Sequence, residues 1–156
     1  MCEKIRINLI VYGDPVPQPR VCDDTRKQRE FGLKYMPKYD PAAKKKENFL
    51  LKCIQYRPVE PFTEPLEVNI TWYFKRPKTH YGRCNGKLYL KPDAPYYHCL
   101  KKRCDIDNLA KFVLDSLTGV FMVDDGQVCR MKLEKKYTEK LPCTEVEFIP
   151  IYGDVS

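Results

Sequence analysis

The sequence of 156 residues lacks any apolar run long enough to cross a membrane. A membrane-spanning helix needs roughly 18 or more consecutive apolar residues, and no stretch approaches that length. The N-terminal residues 1–4 also lack the apolar segment of a signal peptide. These absences predict an intracellular, cytoplasmic protein that has no membrane partner.

The eight cysteines include no Cys-x-x-Cys pair, the common signature of zinc and redox sites. The grouping that comes nearest to a metal site has a spacing that matches no common zinc pattern: His80, Cys84, His98, Cys99 and Cys104. Disulfide scaffolds belong to exported chains, and nothing here indicates export. We therefore expect reduced thiols that are buried or idle, with a structural zinc ion as the alternative.

Internal repeats and heptads are also missing. Domains cluster around roughly 100 to 150 residues, so the length favours a single domain over residues 1–156. Hydrophobic residues at 43% and charged residues at 31% are ordinary for a globular protein. The formal net charge of +7 favours a polyanionic partner such as nucleic acid, although charge alone is weak evidence.

Apolar and polar residues alternate over residues 5–12 and 66–74, which is typical of half-buried strands. Residues 127–137 and 144–151 predict two more strands, which we expect to pair with each other. Helical spacing predicts helices over residues 41–56 and 107–118, and Gly119 can end the second. The pattern indicates an α+β fold with a mixed or antiparallel sheet of at least four strands and two main helices.

Basic residues are concentrated in a proline-rich segment after the first strand and in a long loop over residues 75–104. Basic side chains can bind phosphates, and the tyrosines interleaved in the loop can stack on bases. We predict DNA contacts by Arg20, Lys75, Arg76, Lys78, Lys101, Lys102 and Arg103. The alternatives are a merely solvated loop around Arg20 and a disordered insertion in the middle of residues 75–104.

One face of the second helix carries acids and a lysine. At about 100° per residue, five polar side chains fall within one arc, namely Asp107, Asn108, Lys111, Asp115 and Thr118. The opposite face is apolar and should pack on the sheet. Asp105 precedes the helix in extended chain and can point the same way as Asp107. These two carboxylates can therefore converge.

A third carboxylate is available from Asp124 or Asp125, at the start of a strand that we expect to lie against this helix. Mg2+ prefers oxygen ligands and usually takes one or two carboxylates with water and substrate phosphate. Such a metal activates water and neutralises charge in phosphodiester hydrolysis. Lys111 could stabilise the charge of the transition state, and we assign Asp115 to positioning Lys111.

Each of these residues also has an ordinary structural explanation. Asp105 or Asp107 could be an N-cap, Lys111 could form surface pairs with acids four residues away, and Asp125 could belong to a turn. An EF-hand is excluded, because Leu109 and Ala110 occupy positions where that loop needs an oxygen ligand and a glycine. No parallel nucleotide-binding fold is indicated, so we expect no nucleotide cofactor.

Two motifs resemble the signature of RusA-type Holliday junction resolvases. That pattern is Asp-x-Asp-Asn-Leu-x-Lys-x-x-x-Asp-x-Leu and, after a short gap, Asp-Asp-x-Gln-[Ile/Val]. The residues that carry it are Asp105, Asp107, Asn108, Leu109, Lys111, Asp115 and Leu117, followed by Asp124, Asp125, Gln127 and Val128. Weaker similarity to phage-borne members covers residues 17–20, 76–78 and 94–98, so the chain could be encoded by a phage or virus.

The resemblance implies a RusA-like fold and a homodimer that cuts opposing strands of a four-way DNA junction symmetrically, with Mg2+ or Mn2+. It implies that Asp105, Asp107 and Asp125 are the metal-binding carboxylates and that Lys111 is the essential basic residue. Asp124 stays an auxiliary ligand. Asn108 and Asp115 are expected to support this set. The departure at Cys104, where many relatives have proline or a basic residue, bears on the approach to the site.

Two other classes of function remain open at this stage. One is a nuclease that acts mainly on other branched DNA, such as flaps or replication forks. The other is a non-catalytic basic DNA-binding module, in which the acids are only caps and surface pairs.

Overall fold

The computed structural model describes residues 5–20, 22–23, 25–35, 38–99 and 104–153. Its strands are β1 (Ile7–Tyr12), β2 (Cys22–Asp23), β3 (Lys38–Tyr39), β4 (Leu66–Lys75), β5 (Tyr81–Cys84), β6 (Lys87–Leu90), β7 (Val128–Thr138) and β8 (Cys143–Pro150). Its helices are α1 (Thr25–Phe31), α2 (Ala43–Cys53) and α3 (Ile106–Leu117), with 3-10 turns at Ile54–Tyr56, Lys78–His80 and Asp125–Gln127. None of these helices is long and apolar enough to span a membrane.

Four strands form the main sheet in the order β1-β8-β4-β7. β8 is antiparallel to β1 and to β4, whereas β7 is parallel to β4. The prediction of an α+β fold with a mixed four-stranded sheet and two main helices is confirmed. The short helix α1 and the small β2–β3 pair were not predicted from the sequence.

The predicted pairing of the last two strands is wrong, because β4 lies between β7 and β8. Between Thr138 and Cys143 the chain crosses the end of β4, so β8 pairs with the edge of β4 that is opposite to β7. β7 then becomes an edge strand, and the exposed charges it carries suit an edge because they discourage further pairing.

α3 connects β4 to β7 and runs in the opposite direction to β7. The start of α3 is held near the far part of that strand, since Lys135 Nζ donates a 2.8 Å hydrogen bond to the carbonyl of Cys104. The end of α3 leads towards the beginning of β7, where Val128 pairs with Leu66. This crossover is the connection that a parallel pair of strands requires.

The core lies between one face of the sheet and the two main helices. α2 and α3 meet through an edge-to-face contact of Phe49 and Phe112, whose ring centroids are 5.6 Å apart. Trp72 of β4 is 1% exposed, and Phe148 of β8 stacks on Phe121. Apolar residues from alternate positions of β1, β4 and β8 complete one continuous cluster, which fixes α3 on the sheet.

The long loop contains a hairpin that the sequence interpretation missed. β5 and β6 pair antiparallel, and the two residues between them, Asn85 and Gly86, have φ values of 49° and 77°. Asn-Gly is the strongest short-range signal for this two-residue turn, because both positions need positive φ. Within its described part, residues 75–99 and 104, the segment is not a disordered insertion.

The return of this segment is tied to the edge of β7. His98 N–H donates to the Lys135 carbonyl at 3.0 Å, and Tyr137 N–H donates to the Tyr96 carbonyl at 2.9 Å. The ring of His98 also stacks on Phe74, with centroids 3.9 Å apart. The chain therefore leaves β7 in a defined position shortly before it reaches α3.

A small ion network joins α2 to α3. Lys46 Nζ lies 2.7 Å from Asp40 Oδ2 and 3.0 Å from Asp115 Oδ2. The hydrogen bond from Lys46 holds the pKa of Asp40 below 3.8. Burial opposes the charge of Lys46, but its hydrogen bonds to Asp40 and Asp115 outweigh burial and raise its pKa above 10.5.

We expect Lys46→Met to destabilise the fold, because it leaves two half-buried carboxylates without their cation. Solvent screening limits the loss to about 1 kcal/mol, which lowers the Tm by roughly 2 to 4 °C. Asp40 stabilises above its unfolded pKa, and this contribution disappears as the pH falls through its lowered folded pKa. The difference from wild type should therefore shrink below pH 3.8.

Thermal and denaturant unfolding between pH 2 and pH 8 measure this difference. Lys44→Met is the matched control, since Lys44 is an exposed lysine in the same helical turn. Equal losses for Lys44→Met and Lys46→Met would show that the network does not stabilise the fold.

Candidate functional site

The faces of α3 agree with the helical projection. Its buried residues are Leu109, Ala110, Phe112, Val113, Ser116 and Leu117, all on the side of the core. Asp107 and Lys111 are exposed on the opposite side, one helical turn apart. The helix thus presents both groups to solvent from a backbone that core packing holds in place.

Asp105 occupies the N-cap position of α3, yet its side chain makes no capping hydrogen bond. Its backbone is extended, with φ −64° and ψ 137°, and the side chain is exposed. Among the described residues, none donates a hydrogen bond to the carboxylate of Asp105 or Asp107. Neither carboxylate caps the helix in the described structure, so the oxygens of both can bind a cation or water.

Lys111 is exposed and forms no ion pair within the described part of the chain. The expected surface pairs with Asp107 and Asp115 do not form there. Asp115 pairs with Lys46 instead, which corrects the prediction that Asp115 positions Lys111. The physical reason is that α2 packs beside α3 and brings a cation to Asp115 from a distant part of the sequence.

The two neighbouring acids before β7 have different environments. Asp124 Oδ1 accepts a 2.7 Å hydrogen bond from Gly126 N–H, and Gln127 Oε1 accepts one of 2.8 Å from Asp124 N–H. This reciprocal pair is a capping box on the 3-10 turn. Asp125 is exposed, and no described residue donates to its carboxylate. The turn thus uses Asp124 for structure and leaves Asp125 free.

Gln127 fixes this turn to the rest of the fold. Its Nε2 donates to the carbonyls of Phe62 and Glu64 at 2.9 and 3.0 Å. The sequence interpretation gave Gln127 no role, although it stands in the second RusA-like motif. A carboxamide can donate and accept at once, and that chemistry suits a residue that joins two backbone segments.

We name two groups of free side chains. The helix half-site comprises Asp105, Asp107 and Lys111 at the start of α3, and the turn half-site is Asp125 before β7. No three His, Cys, Asp or Glu side chains within the described ranges lie close enough together to hold a metal ion. The structure places each half-site on an exposed edge of the fold but does not bring them together in one chain.

The predicted DNA-binding residues fall into three groups. Lys75 and Lys78 are exposed at and after the end of β4. Arg76 donates a 2.7 Å hydrogen bond to the Pro95 carbonyl and lies over the ring of Tyr137, so it is engaged within the protein. Arg20 also has a partner in the structure. The three remaining residues, Lys101, Lys102 and Arg103, lie outside the described residues.

The cysteine and histidine grouping is not assembled as a metal site among the residues described. His98 is buried between aromatic rings, and this burial lowers its pKa below 6.5. Cys84 and Cys99 are exposed free thiols. Burial raises the pKa of the Cys104 thiol, so that side chain stays protonated beside Asp105 at neutral pH.

The helix half-site offers carboxylate oxygens, the ligands that Mg2+ prefers, and the exposed Lys111 lies next to them.

Residues 13–149 match the family described as "Endodeoxyribonuclease RusA". The chain belongs to this family of endodeoxyribonucleases, as its motifs indicated, and the family acts on branched DNA junctions. The Bacillus subtilis (strain 168) protein named "Uncharacterized protein YqaN" is 32% identical over 142 residues, 90% of this chain and 93% of that protein.

We expect Asp124→Ala and Asp125→Ala to differ in stability, although the two residues are neighbours. Asp124→Ala removes a cap and should cost about 1 kcal/mol in the free energy of unfolding. Asp125→Ala removes no hydrogen bond of the described structure and should leave that energy unchanged. Denaturant unfolding of the two variants measures the difference. A loss for Asp125→Ala as large as that for Asp124→Ala would contradict the assignment.

Proposed function

We propose that the chain is a Mg2+-dependent endonuclease that resolves Holliday junctions by paired, symmetric cuts as a homodimer. The observation that carries this proposal is the helix half-site, where two carboxylates and a lysine at the start of α3 have no ion-pair partner among the described residues. The chain belongs to an endodeoxyribonuclease family, and this membership supports a role of these side chains in DNA hydrolysis. DNA is the partner, and we propose an intracellular location with it.

Asp105, Asp107 and Asp125 are the residues that would hold the metal. Their free oxygens fit Mg2+, and Mn2+ would substitute because it accepts the same ligands. When bound, the metal supplies activation of water and neutralisation of charge on the scissile phosphate. Asp124 keeps one carboxylate oxygen outside its hydrogen bond with Gly126 and serves as an auxiliary ligand.

Lys111 would face the scissile phosphate and stabilise the negative charge that develops there. Lys111 forms no ion pair with any residue that the structure describes, which supports this role, because a lysine already neutralised by an acid contributes less field to a phosphate. Asn108 follows Asp107 and accepts a hydrogen bond from Gln18 N–H through its carbonyl, which holds the proline-rich segment against the start of α3. Asn108 and Asp115 therefore support the site through the backbone and through helix packing.

DNA contacts beyond the site would come from the basic residues around it. Lys75 and Lys78 are exposed on the segment that follows β4, and Lys101, Lys102 and Arg103 precede the site in sequence. Such contacts position the backbone without reading bases. A homodimer would present two active sites, which matches the two-fold symmetry of a four-way junction.

A panel of labelled DNAs tests the proposed substrate. Four-way junctions should be cut in Mg2+ or Mn2+, while linear duplexes, flaps and forks should be cut much more slowly. Removal of the metal with a chelator should stop cleavage and leave junction binding. Faster cleavage of flaps or forks would assign the protein to another branched substrate.

Asp107→Asn should abolish cleavage while the variant still binds junctions, because it removes a carboxylate but adds no bulk. Gel-shift titration and gel-based cleavage assays measure the two properties separately. Cleavage at the wild-type rate would leave the acids as surface residues and support a basic DNA-binding module.

Lys111→Met should lower the rate of the cutting step by roughly 100- to 1000-fold, the usual effect of losing one stabilising group in an active site. Single-turnover cleavage at saturating protein isolates this step from binding. Lys44→Met removes the same charge from another exposed position. Equal effects of the two substitutions would point to general electrostatics instead of catalysis.

A further inference from the structure

The base of the β5–β6 hairpin lies at the end of the sheet where α3 begins. Lys91 N–H donates to the His80 carbonyl at 3.0 Å and closes this base. The rings of His80 and Tyr137 meet edge to face, with centroids 4.8 Å apart. Tyr137 is two residues from Lys135, whose Nζ holds the carbonyl of Cys104 before α3. Two residues of a strand span about 7 Å, so the hairpin and the helix half-site share one end of the fold.

The hairpin projects from this base as an arm of defined shape. Each of its strands has four residues, a length of about 13 Å. The side chains from residue 83 to residue 89 are all exposed. The ring of Tyr89 lies against Gly82 on the opposite strand, so closely that a Cβ at Gly82 would come within 2.5 Å of it. Such a cross-strand contact of an aromatic ring with glycine stiffens a hairpin.

The charge of this arm and of its approach is entirely basic. Arg83 and Lys87 lie next to the turn, and neither forms an ion pair with a residue that the structure describes. Cations without an acidic neighbour at the tip of an arm suit a polyanionic partner. Residues 75–92 contain no Asp or Glu but six basic residues, namely Lys75, Arg76, Lys78, Arg83, Lys87 and Lys91.

The arm also exposes apolar surface. Leu88 is 65% exposed and Tyr89 is 48% exposed. An intact DNA duplex offers phosphates to an approaching protein but hides the flat faces of its bases within the stack. Base faces become accessible where stacking is interrupted, and aromatic side chains stack on such faces. A branch point offers both phosphates and interrupted stacking, so it matches the hairpin better than an unbranched duplex does.

We propose that the β5–β6 hairpin binds the branch point of the DNA junction. Arg83 and Lys87 contact phosphates beside the branch, and Tyr89 stacks on a base whose face the branch exposes. This inference rests on the proposed function, since it takes branched DNA as the partner. It gives the hairpin the task of distinguishing a branch from an unbranched duplex, a task separate from the hydrolysis at the helix half-site.

Photocrosslinking from Cys84 tests where the tip of the hairpin lies on DNA. Cys84 is an exposed free thiol at the end of β5, and an aryl azide attached to it reacts with nearby nucleotides on irradiation. Four-way junctions labelled on each strand are irradiated without metal, so that no strand is cut. The protein carries serine in place of five other cysteines, namely Cys2, Cys22, Cys99, Cys104 and Cys129.

Crosslinks should fall within about three nucleotides of the branch, since the probe reaches about 10 Å and successive nucleotides are about 3.4 Å apart. The same protein with Cys84→Ser is the matched control and should give none of these crosslinks. Crosslinks spread along the arms would mean that the hairpin occupies a groove of ordinary duplex. That result, or the absence of crosslinks, would overturn the proposal.

Substitution of Tyr89 tests the stacking. Tyr89→Ile keeps an apolar strand-forming residue but removes the flat ring, so it should weaken junction binding about ten-fold and leave duplex binding unchanged. Tyr89→Phe keeps the ring and should bind both DNAs as wild type does. Fluorescence anisotropy without metal measures the affinities. Wild-type junction affinity of Tyr89→Ile would exclude a stacking role.

The double variant Arg83→Gln, Lys87→Gln tests the phosphate contacts. Its junction affinity should depend less on salt, with the slope of log K against log salt reduced by about two. The matched control is Lys44→Gln, Arg57→Gln, which removes two exposed charges elsewhere and should keep the wild-type slope. Equal slopes for the two double variants would overturn the contacts. If wild type itself does not prefer junctions to duplex, the proposed function fails; if it does and the hairpin variants keep that preference, only the role of the hairpin fails.

Discussion

The parallel pairing of β4 with β7 constrains nearly everything else in the fold. Parallel neighbours require the chain to return across the sheet, and α3 is that return. The helix therefore has to pack its apolar face on the sheet, present its polar face to solvent and run against β7. Those three conditions fix the exposure of Asp107 and Lys111. They also place Asp125 at the far end of the helix from them.

Local patterns predicted most of the secondary structure, because period-two and helical spacing reflect which face of each element is buried. β1, β4, α2 and α3 all follow this rule. The neighbours of β7 and β8 could not be predicted in the same way, since strand order depends on contacts between distant segments. The β5–β6 hairpin is a different case. Its Asn85-Gly86 turn is a sequence signal for a hairpin, but the many basic residues around it favoured the prediction of a loop.

For the candidate site, the projection of α3 correctly placed Asp107 and Lys111 on a shared exposed face. It could not reveal that Asp115 forms an ion pair with Lys46, because these residues are 69 positions apart in the sequence. Nor could spacing separate Asp124 from Asp125. In the structure Asp124 accepts a hydrogen bond within the turn, whereas no described residue donates one to Asp125. The roles of the acids in metal binding stay predictions. What the structure adds is which of these carboxylates accept hydrogen bonds from the described residues and which do not.

The attachment of Gln127 to Phe62 and Glu64 has a consequence for folding. These hydrogen bonds join residues 65 and 63 positions apart, on either side of the hairpin and α3. Contacts with such long sequence separation close late, because the intervening chain must first lose much of its conformational freedom. The contact of the Asp125 turn with Phe62 and Glu64 therefore closes together with the pairing of β4 and β7, since the neighbouring pair Leu66 and Val128 is nearly as far apart in sequence. The hydrogen bonds within the turn itself are local, so the shape of the turn does not depend on that late step.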